Sequence, residues 1–171
     1  CLGHGLPKIS RGFAFDITSK DNLKPTTFFN SRLGYDVVDQ ADMNLTNMYS
    51  FDNQSTAVLK RWRNPGDVTN VPRALYRSGY NWLGSSRYVH SASFVRLQAV
   101  TLRYTLGHSI LNSLKVRSAS VYMTVENLYT WTKYPGENPD VSIIGDNNPF
   151  SYPVDNALTP PSKNILLGIN V

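Results

Sequence analysis

The stretch SASVYMTVENLYTW, residues 118–131, decides how this chain is read. Its odd-numbered positions are Ala119, Val121, Met123 and Val125, followed by Asn127, Tyr129 and Trp131; its even-numbered positions are Ser118, Ser120, Tyr122, Thr124 and Glu126. Successive strand residues point to opposite faces, so the segment predicts one apolar face and one small or polar face. The apolar face ends in Tyr and Trp, the order in which a strand leaves hydrocarbon and meets an aromatic girdle.

Two other segments share that design. Residues 163–171 set Ile165, Leu167, Ile169 and Val171 against Asn164, Leu166, Gly168 and Asn170, and near the start Phe13, Phe15 and Ile17 oppose Gly12, Ala14, Asp16 and Thr18. Residues 26–35 are mixed. In FVRLQAVTLRYTL, residues 94–106, the phase changes: Val95 and Leu97 read to one face, then Val100, Leu102, Tyr104 and Leu106 to the other. A β-bulge, or a strand running past the membrane edge, accounts for such a switch. Five strands follow, joined by connections of alternating length, short at 19–23 and 107–116, long at 36–93 and 132–162. Up-and-down outer-membrane barrels alternate in this way, whereas a compact soluble domain seldom holds a structureless connection as long as 36–93. Inside the long segments, VVDQADMNLTNMY (37–49) predicts a short helix, and PGD at 65–67 and NNP at 147–149 predict turns.

Composition agrees with strands and loops. Of 171 residues, 41% are hydrophobic and only 17% charged, against about 25% charged in ordinary soluble domains. Ten Tyr, seven Phe, 11 Gly and 10 Pro favour strands and turns over a helical bundle. No apolar run approaches the roughly 18 residues of a transmembrane helix, so any membrane crossing must use strands. Catalytic and metal chemistry has little to build on. Cys1 is the sole cysteine; His4, His90 and His108 are scattered, and no phosphate loop, GxSxG or HExxH motif occurs. Glu137 and Asp140 in GENPD read as turn residues. The chain is read as a non-enzyme, with no metal and no cofactor.

The net charge of +5 is regional. Between Lys60 and Arg103 eight cations face one acid, Asp67, giving +7 there and −2 elsewhere. Trp62, Tyr76, Tyr80, Trp82, Tyr88 and Phe94 are interleaved with them. That mixture admits a rival reading, a soluble β-sandwich module that binds carbohydrate or nucleic acid through residues 60–103. Arg stems packed on aromatic rings in a solvated loop explain the same pattern without a nucleic acid, and no nucleic-acid motif is present.

Three blocks resemble one family. SSRYVHSASFVRLQAVTLRYTL (85–106) resembles its SSRYVEDGSFLRLKNLTLGYTL pattern; VYMTVENLYTWTKYPGENPDVS (121–142) is similar to its block ending in NL-x-T-x-TKY-x-G-x-DPEVS; RWRNPGDVTNVPR (61–73) is similar to its RW-x-x-PGD-x-T-x-xPR loop. These are C-terminal signatures of the SusC/RagA-type TonB-dependent outer-membrane transporters of Bacteroidota. With the flanking strands the resemblance covers nearly the whole of residues 1–171.

The resemblance implies a 22-stranded barrel with an N-terminal plug, capped by a SusD-like surface lipoprotein and importing oligosaccharides or peptides with energy from the TonB complex. Residues 1–171 are then an all-β, antiparallel, up-and-down C-terminal part of that transmembrane β-barrel, with long extracellular loops. The plug, its TonB contact and most strands lie outside them. In the family the last strand ends on an aromatic; Gly168 and Val171 fit its alternation, and the aromatic is expected about two residues beyond Val171. Five strands alone leave two unpaired edges, which hydrocarbon does not tolerate, so the isolated chain is not expected to insert stably. Lipid-facing positions are expected at Val121, Met123, Val125, Ile165, Leu167 and Ile169, and lumen-facing ones at Ser120, Tyr122, Thr124 and Glu126. Trp62, Tyr80 and Trp82 are the candidates to touch substrate or the lipoprotein cap.

Overall fold

The computed structural model describes residues 3–19, 22–78, 85–141 and 152–171. In chain order the strands are β1 (Ile9–Asp16), β2 (Leu23–Leu33), β3 (Asp36–Asp39), β4 (Val89–Ser91), β5 (Phe94–Thr105), β6 (Ser120–Thr132), β7 (Val154–Asp155) and β8 (Asn164–Asn170). Helix α1 (Gln40–Leu45) follows β3, and α2 (His108–Leu114) joins β5 to β6. The chain forms two compact units. A sheet unit comprises Pro7–Gly34, Ser93–Lys133 and Pro160–Val171; a loop unit comprises Cys1–Leu6, Tyr35–Ala92 and Tyr134–Thr159.

The sheet unit is a five-stranded antiparallel meander in the order β1-β2-β5-β6-β8. The two long excursions leave it at one end, where Ile9 pairs with Leu33, Arg32 with Phe94, and Phe94 with Thr132. At the other end lie the β1–β2 turn, α2 and the close of β8, where Ser120 pairs with Asn170. The connection over 107–116 is therefore a helix rather than a bare turn; Lys115 ends it in the left-handed conformation (φ 54°), and the Val116 N–H reaches the Leu111 carbonyl at 3.2 Å.

The register explains the phase switch. Phe28 pairs with Ala99 and Phe29 with Leu97, so β5 carries one extra residue, Gln98, against β2. On its other side Leu97 pairs with Tyr129 and Ala99 with Glu126, so β6 carries Asn127 and Leu128 against Gln98. One extra residue inverts the parity of β5; two leave that of β6 unchanged. Val95 and Leu97 thus lie on the same face as Val100, Leu102 and Tyr104, not the opposite one. The bulge on β6 is closed by Asn127 at φ 53°, a left-handed conformation that Asn tolerates, and its side-chain N–H donates to the Ser162 carbonyl at 2.9 Å.

With that correction the sheet has two consistent faces. One carries Phe13, Phe15, Phe29, Leu97, Val100, Leu102, Tyr104, Val121, Met123, Val125, Tyr129, Trp131, Ile165, Leu167 and Ile169. Its rings touch: Phe13 stacks on Phe29 at 5.0 Å and Tyr129 meets Trp131 edge-on at 4.9 Å. In a β-sandwich such a face is the core. Here much of it is open: Phe29, Leu97, Val100 and Val125 are half-buried, but Phe13 and Val121 are 41% exposed and Leu167 75%, which runs against the soluble-sandwich alternative.

The loop unit has its own core of Tyr35, Val37, Met43, Val58, Val71, Tyr88, Ala92, Tyr134 and Val141, all buried. Its small sheet runs β4-β3-β7, with β3 antiparallel to β4 and parallel to β7. The helix expected over 37–49 is confined to Gln40–Leu45, because Val37 and Val38 are spent on β3, pairing with His90 and Val89. Asp39 is the N-cap, its Oδ1 accepting the Asp42 N–H at 2.8 Å. The NNP turn at 147–149 lies outside the described residues. In GENPD, Asn138 makes the turn, its Oδ1 accepting the Asp140 N–H at 3.1 Å, while Glu137 is exposed.

A β-branched residue at φ 53° is strained where Asn or Gly is not. Asn127→Val is therefore expected to lower stability by about 1–3 kcal/mol, read as a shift in the urea midpoint of the folded protein in detergent, while Asn127→Gly stays near wild type.

Candidate functional site

Two surfaces hold the residues singled out in the sequence. The first is the polar face of the sheet. Ser120, Tyr122, Thr124 and Glu126 lie on it together, since their partners Thr105, Arg103, Thr101 and Ala99 share one face of β5. The Thr101 and Thr124 hydroxyls hydrogen-bond at 2.9 Å, the Arg103 guanidinium lies 5.8 Å from the Tyr122 ring centre, and Glu126 accepts from the Asn164 side-chain amide at 3.3 Å. Gly168 gives Tyr122 its room: a Cβ there would fall 2.3 Å from the ring. Val121, Met123, Val125, Ile165, Leu167 and Ile169 lie on the opposite, apolar face in matched register, Val121 with Ile169, Met123 with Leu167 and Val125 with Ile165.

The second surface is a cleft in the loop unit. The RWRNPGDVTNVPR segment folds back on itself through Gly66 at φ 102°, and the Trp62 N–H donates to the Val71 carbonyl at 3.0 Å. Asp67 closes the turn, its Oδ2 accepting the N–H groups of Arg63 and Asn64, both at 2.9 Å. Those two donors hold its carboxyl below the usual range. Opposite, Ser85 caps the short 3-10 turn Ser86–Tyr88 by accepting the Arg87 N–H at 3.2 Å. Between them opens a cleft of about 900 Å³ lined by Trp62, Asn70, Pro72, Arg73, Ser86 and Arg87 among others. Trp62 is half-buried in its wall. Tyr80 and Trp82 lie outside the described residues.

The basic run 60–103 is divided between the two units. Arg96 and Arg103 belong to the sheet unit, and Lys60 to Arg87 to the loop unit. Within the loop unit Arg61 and Arg63 donate to the carbonyls of Val58 and Leu59 at 3.4 and 3.3 Å, closing the 3-10 turn Thr56–Lys60. Arg77 lies over Tyr76 and Arg87 over Tyr88, at 5.4 and 5.3 Å, the cation–π packing that a solvated aromatic loop predicts.

The loop unit also holds a buried polar knot that no sequence pattern signals. Asp39 and Asp155 pair on the parallel strands β3 and β7 and are 5% and 3% exposed. The Tyr134 hydroxyl donates to Asp155 Oδ2 at 2.7 Å, and Asp155 Oδ1 accepts the Ala157 and Leu158 N–H groups at 2.9 and 3.3 Å. Burial raises the Asp39 carboxyl, against the pull of its bond from Asp42. Burial, then donation to Asp155, raises the Tyr134 hydroxyl. Among the described residues no group of three metal-ligating side chains comes together, and the knot is a structural fastening.

No protein-family model matches the chain. The TonB-dependent receptor P3 of Formosa agariphila is 27% identical over 173 residues, 99% of this chain and 17% of that receptor. The TonB-dependent receptor SusC of Bacteroides thetaiotaomicron is 32% identical over 103 residues, 57% of this chain and 9% of SusC. Among solved structures, the RagAB peptide importer in its closed-closed state superposes with a TM-score of 0.76 at 26% identity, covering 95% of this chain and 17% of that one. The chain is a relative of the SusC/RagA-type TonB-dependent receptors. The open-open state of RagAB superposes with a TM-score of 0.73. The SusC/RagA-type relatives are receptors and transporters, not enzymes. This chain spans about a sixth of their length.

The Asp39 carboxyl gives the loop unit a pH signature. A raised folded pKa means that, between the ordinary carboxylate value and the raised one, the folded state holds a proton that the unfolded state has lost; stability from this group therefore falls as pH rises through that window. Asp39→Asn keeps an acceptor for the Asp42 N–H. It is expected to flatten the dependence and to raise protection of the loop unit at pH 7, measured by amide hydrogen exchange.

Proposed function

We propose that the chain is the C-terminal part of the barrel wall of a 22-stranded TonB-dependent importer in the outer membrane, taking up oligosaccharides or peptides together with a SusD-like surface lipoprotein. The observation that carries this reading is the open apolar face of a single-layer antiparallel sheet whose other face is mainly small and polar. Water does not sustain such a face over five strands, and lipid does.

The dimensions fit. From Tyr104 to Val95 the apolar face runs about 27 Å along β5, or about 21 Å along the axis of a barrel tilted at about 40°, close to the roughly 25 Å apolar band of such barrels. Tyr129 and Trp131 stand at one limit of the band and Tyr104 at the other, which supports two aromatic girdles. Val121, Met123, Val125, Ile165, Leu167 and Ile169 then meet lipid, and Ser120, Tyr122, Thr124 and Glu126 line the lumen. The outer edges of β1 and β8 carry no partner strand among the described residues, and in hydrocarbon each edge needs a neighbouring strand. The remainder of the barrel supplies both.

The excursions at the Leu33–Phe94–Thr132 end are the extracellular loops, where Trp62 and its cleft would meet substrate or lipoprotein. One solved relative imports peptides. Energy transduction by TonB, through the plug, lies with the rest of the receptor. This chain supplies wall, lumen surface and part of the outer rim.

Two measurements on the full-length receptor test the reading. Leu167→Arg at mid-band is expected to cost about 2–4 kcal/mol and to reduce heat-modifiable barrel in outer-membrane fractions, while Thr124→Arg on the polar face assembles. Val68→Cys, on a fully exposed side chain (102%), is expected to react with an impermeant maleimide on intact cells; reaction only after access to the periplasm would refute the orientation.

A further inference from the structure

We propose that the loop-unit cleft binds an oligosaccharide carrying carboxylate or sulfate groups. This deepens the import reading and rests on it. The cleft carries two guanidinium groups, Arg73 and Arg87, and no carboxylate among its lining residues. Asp67, the one acid in the basic run, is spent on its own turn. Arg61 and Arg63 are tied to backbone carbonyls outside the cleft. Arg87 is held in place by its bond to the Asn70 carbonyl at 3.3 Å and by the Tyr88 ring, whereas Arg73 is exposed and has no hydrogen-bond or ion-pair partner among the described residues. A fixed and an available guanidinium facing one open volume form a fork for oxyanions.

The rest of the lining favours a saccharide over a peptide. Trp62 offers a flat amphipathic ring, and Asn70, Ser85 and Ser86 offer small polar groups suited to hydroxyls. Among the described residues no second large apolar side chain lines the cleft to hold a peptide side chain. The Trp62 N–H is already committed to Val71, so the loop offers a peptide no free edge there to pair with. Independently, the polar face of the sheet carries Lys24, Arg32, Arg96 and Arg103 against Asp16 and Glu126. Lys24 and Arg103 stand directly opposite each other, a like-charge pairing that costs stability unless an anion offsets it.

Titration calorimetry on the purified full-length receptor in detergent, with four probes, tests this: a galacturonate tetramer, a sulfated galactose tetramer, a neutral galactose tetramer and a tetra-aspartate peptide. At least one acidic saccharide is expected to bind, more tightly than the neutral one, with affinity falling as salt rises. Arg73→Glu is expected to weaken that binding by about tenfold or more, Arg73→Lys to restore part of it, and Arg77→Glu, on the neighbouring Tyr76, to leave it unchanged. No binding by either acidic saccharide, equal binding of the neutral one, tighter binding of the peptide, or an unaffected Arg73→Glu receptor overturns the proposal. A receptor that binds as expected but imports nothing in cells contradicts the import reading instead.

Discussion

Everything in the sheet unit depends on the paired irregularity where β5 meets its neighbours. Backbone hydrogen bonds fix which residues sit opposite one another, and in a sheet one misplaced residue turns every later side chain to the other face. Gln98 supplies one extra residue against β2, and Asn127 with Leu128 supply two. The outcome is that Val95 and Leu97 rejoin Val100 and Leu102 on the apolar face while Tyr129 and Trp131 stay in line with Met123 and Val125. Without the extra residue in β5, strict alternation would put Arg96 on the face of Val100 and Leu102, and Arg103 on the face of Val95 and Leu97.

The loop unit answers to a different constraint. Its chain must bury backbone and polar groups without long strands, and hydrogen bonds within the unit hold several of them. Asp39 caps a helix, Asp155 collects two backbone N–H groups and a phenol, and the Thr46 hydroxyl lies 3.0 Å from the Tyr88 hydroxyl. These contacts fasten short elements that packing alone would leave marginal. The cleft is a by-product of the same economy, because the turn that sequesters Asp67 also leaves Arg73 facing open volume.

The strands were legible because period-two alternation is a strong signal wherever one face is wholly apolar; β6 and β8 read correctly almost to the residue. In β5 the break in alternation was visible but not its cure, since the parity of a bulge is set by the partner strands and not by the strand that shows it. α1 was read too long because Val37 and Val38 fit a helical stripe as well as a strand, and only pairing with Val89 and His90 decides between them. The buried Asp39–Asp155–Tyr134 knot gave no signal, its members being more than a hundred positions apart in sequence at the extremes. The basic run suggested one cationic surface, yet the fold divides it between two units, a division no linear charge count can show. Trp62 stands out in the sequence for its ring; Arg73, which gives the cleft its chemistry, is one cation among eight there.

The junction of the first excursion with the sheet has a kinetic consequence. The Ala92 N–H bonds to the Tyr35 carbonyl at 3.0 Å, and one residue further out on each side the Gly34 N–H bonds to the Ser93 hydroxyl, also at 3.0 Å. The excursion therefore leaves and returns through a single closed neck. Pairing β2 with β5 across an open coil of that length would carry the full entropy of loop closure, a cost that makes nonlocal strand pairing slow. Once the excursion has folded within the loop unit, whose core Tyr134 and Val141 of the second excursion complete, its two ends are already neighbours. To the assembling sheet, β2 and β5 then behave as a hairpin with a short closed connection.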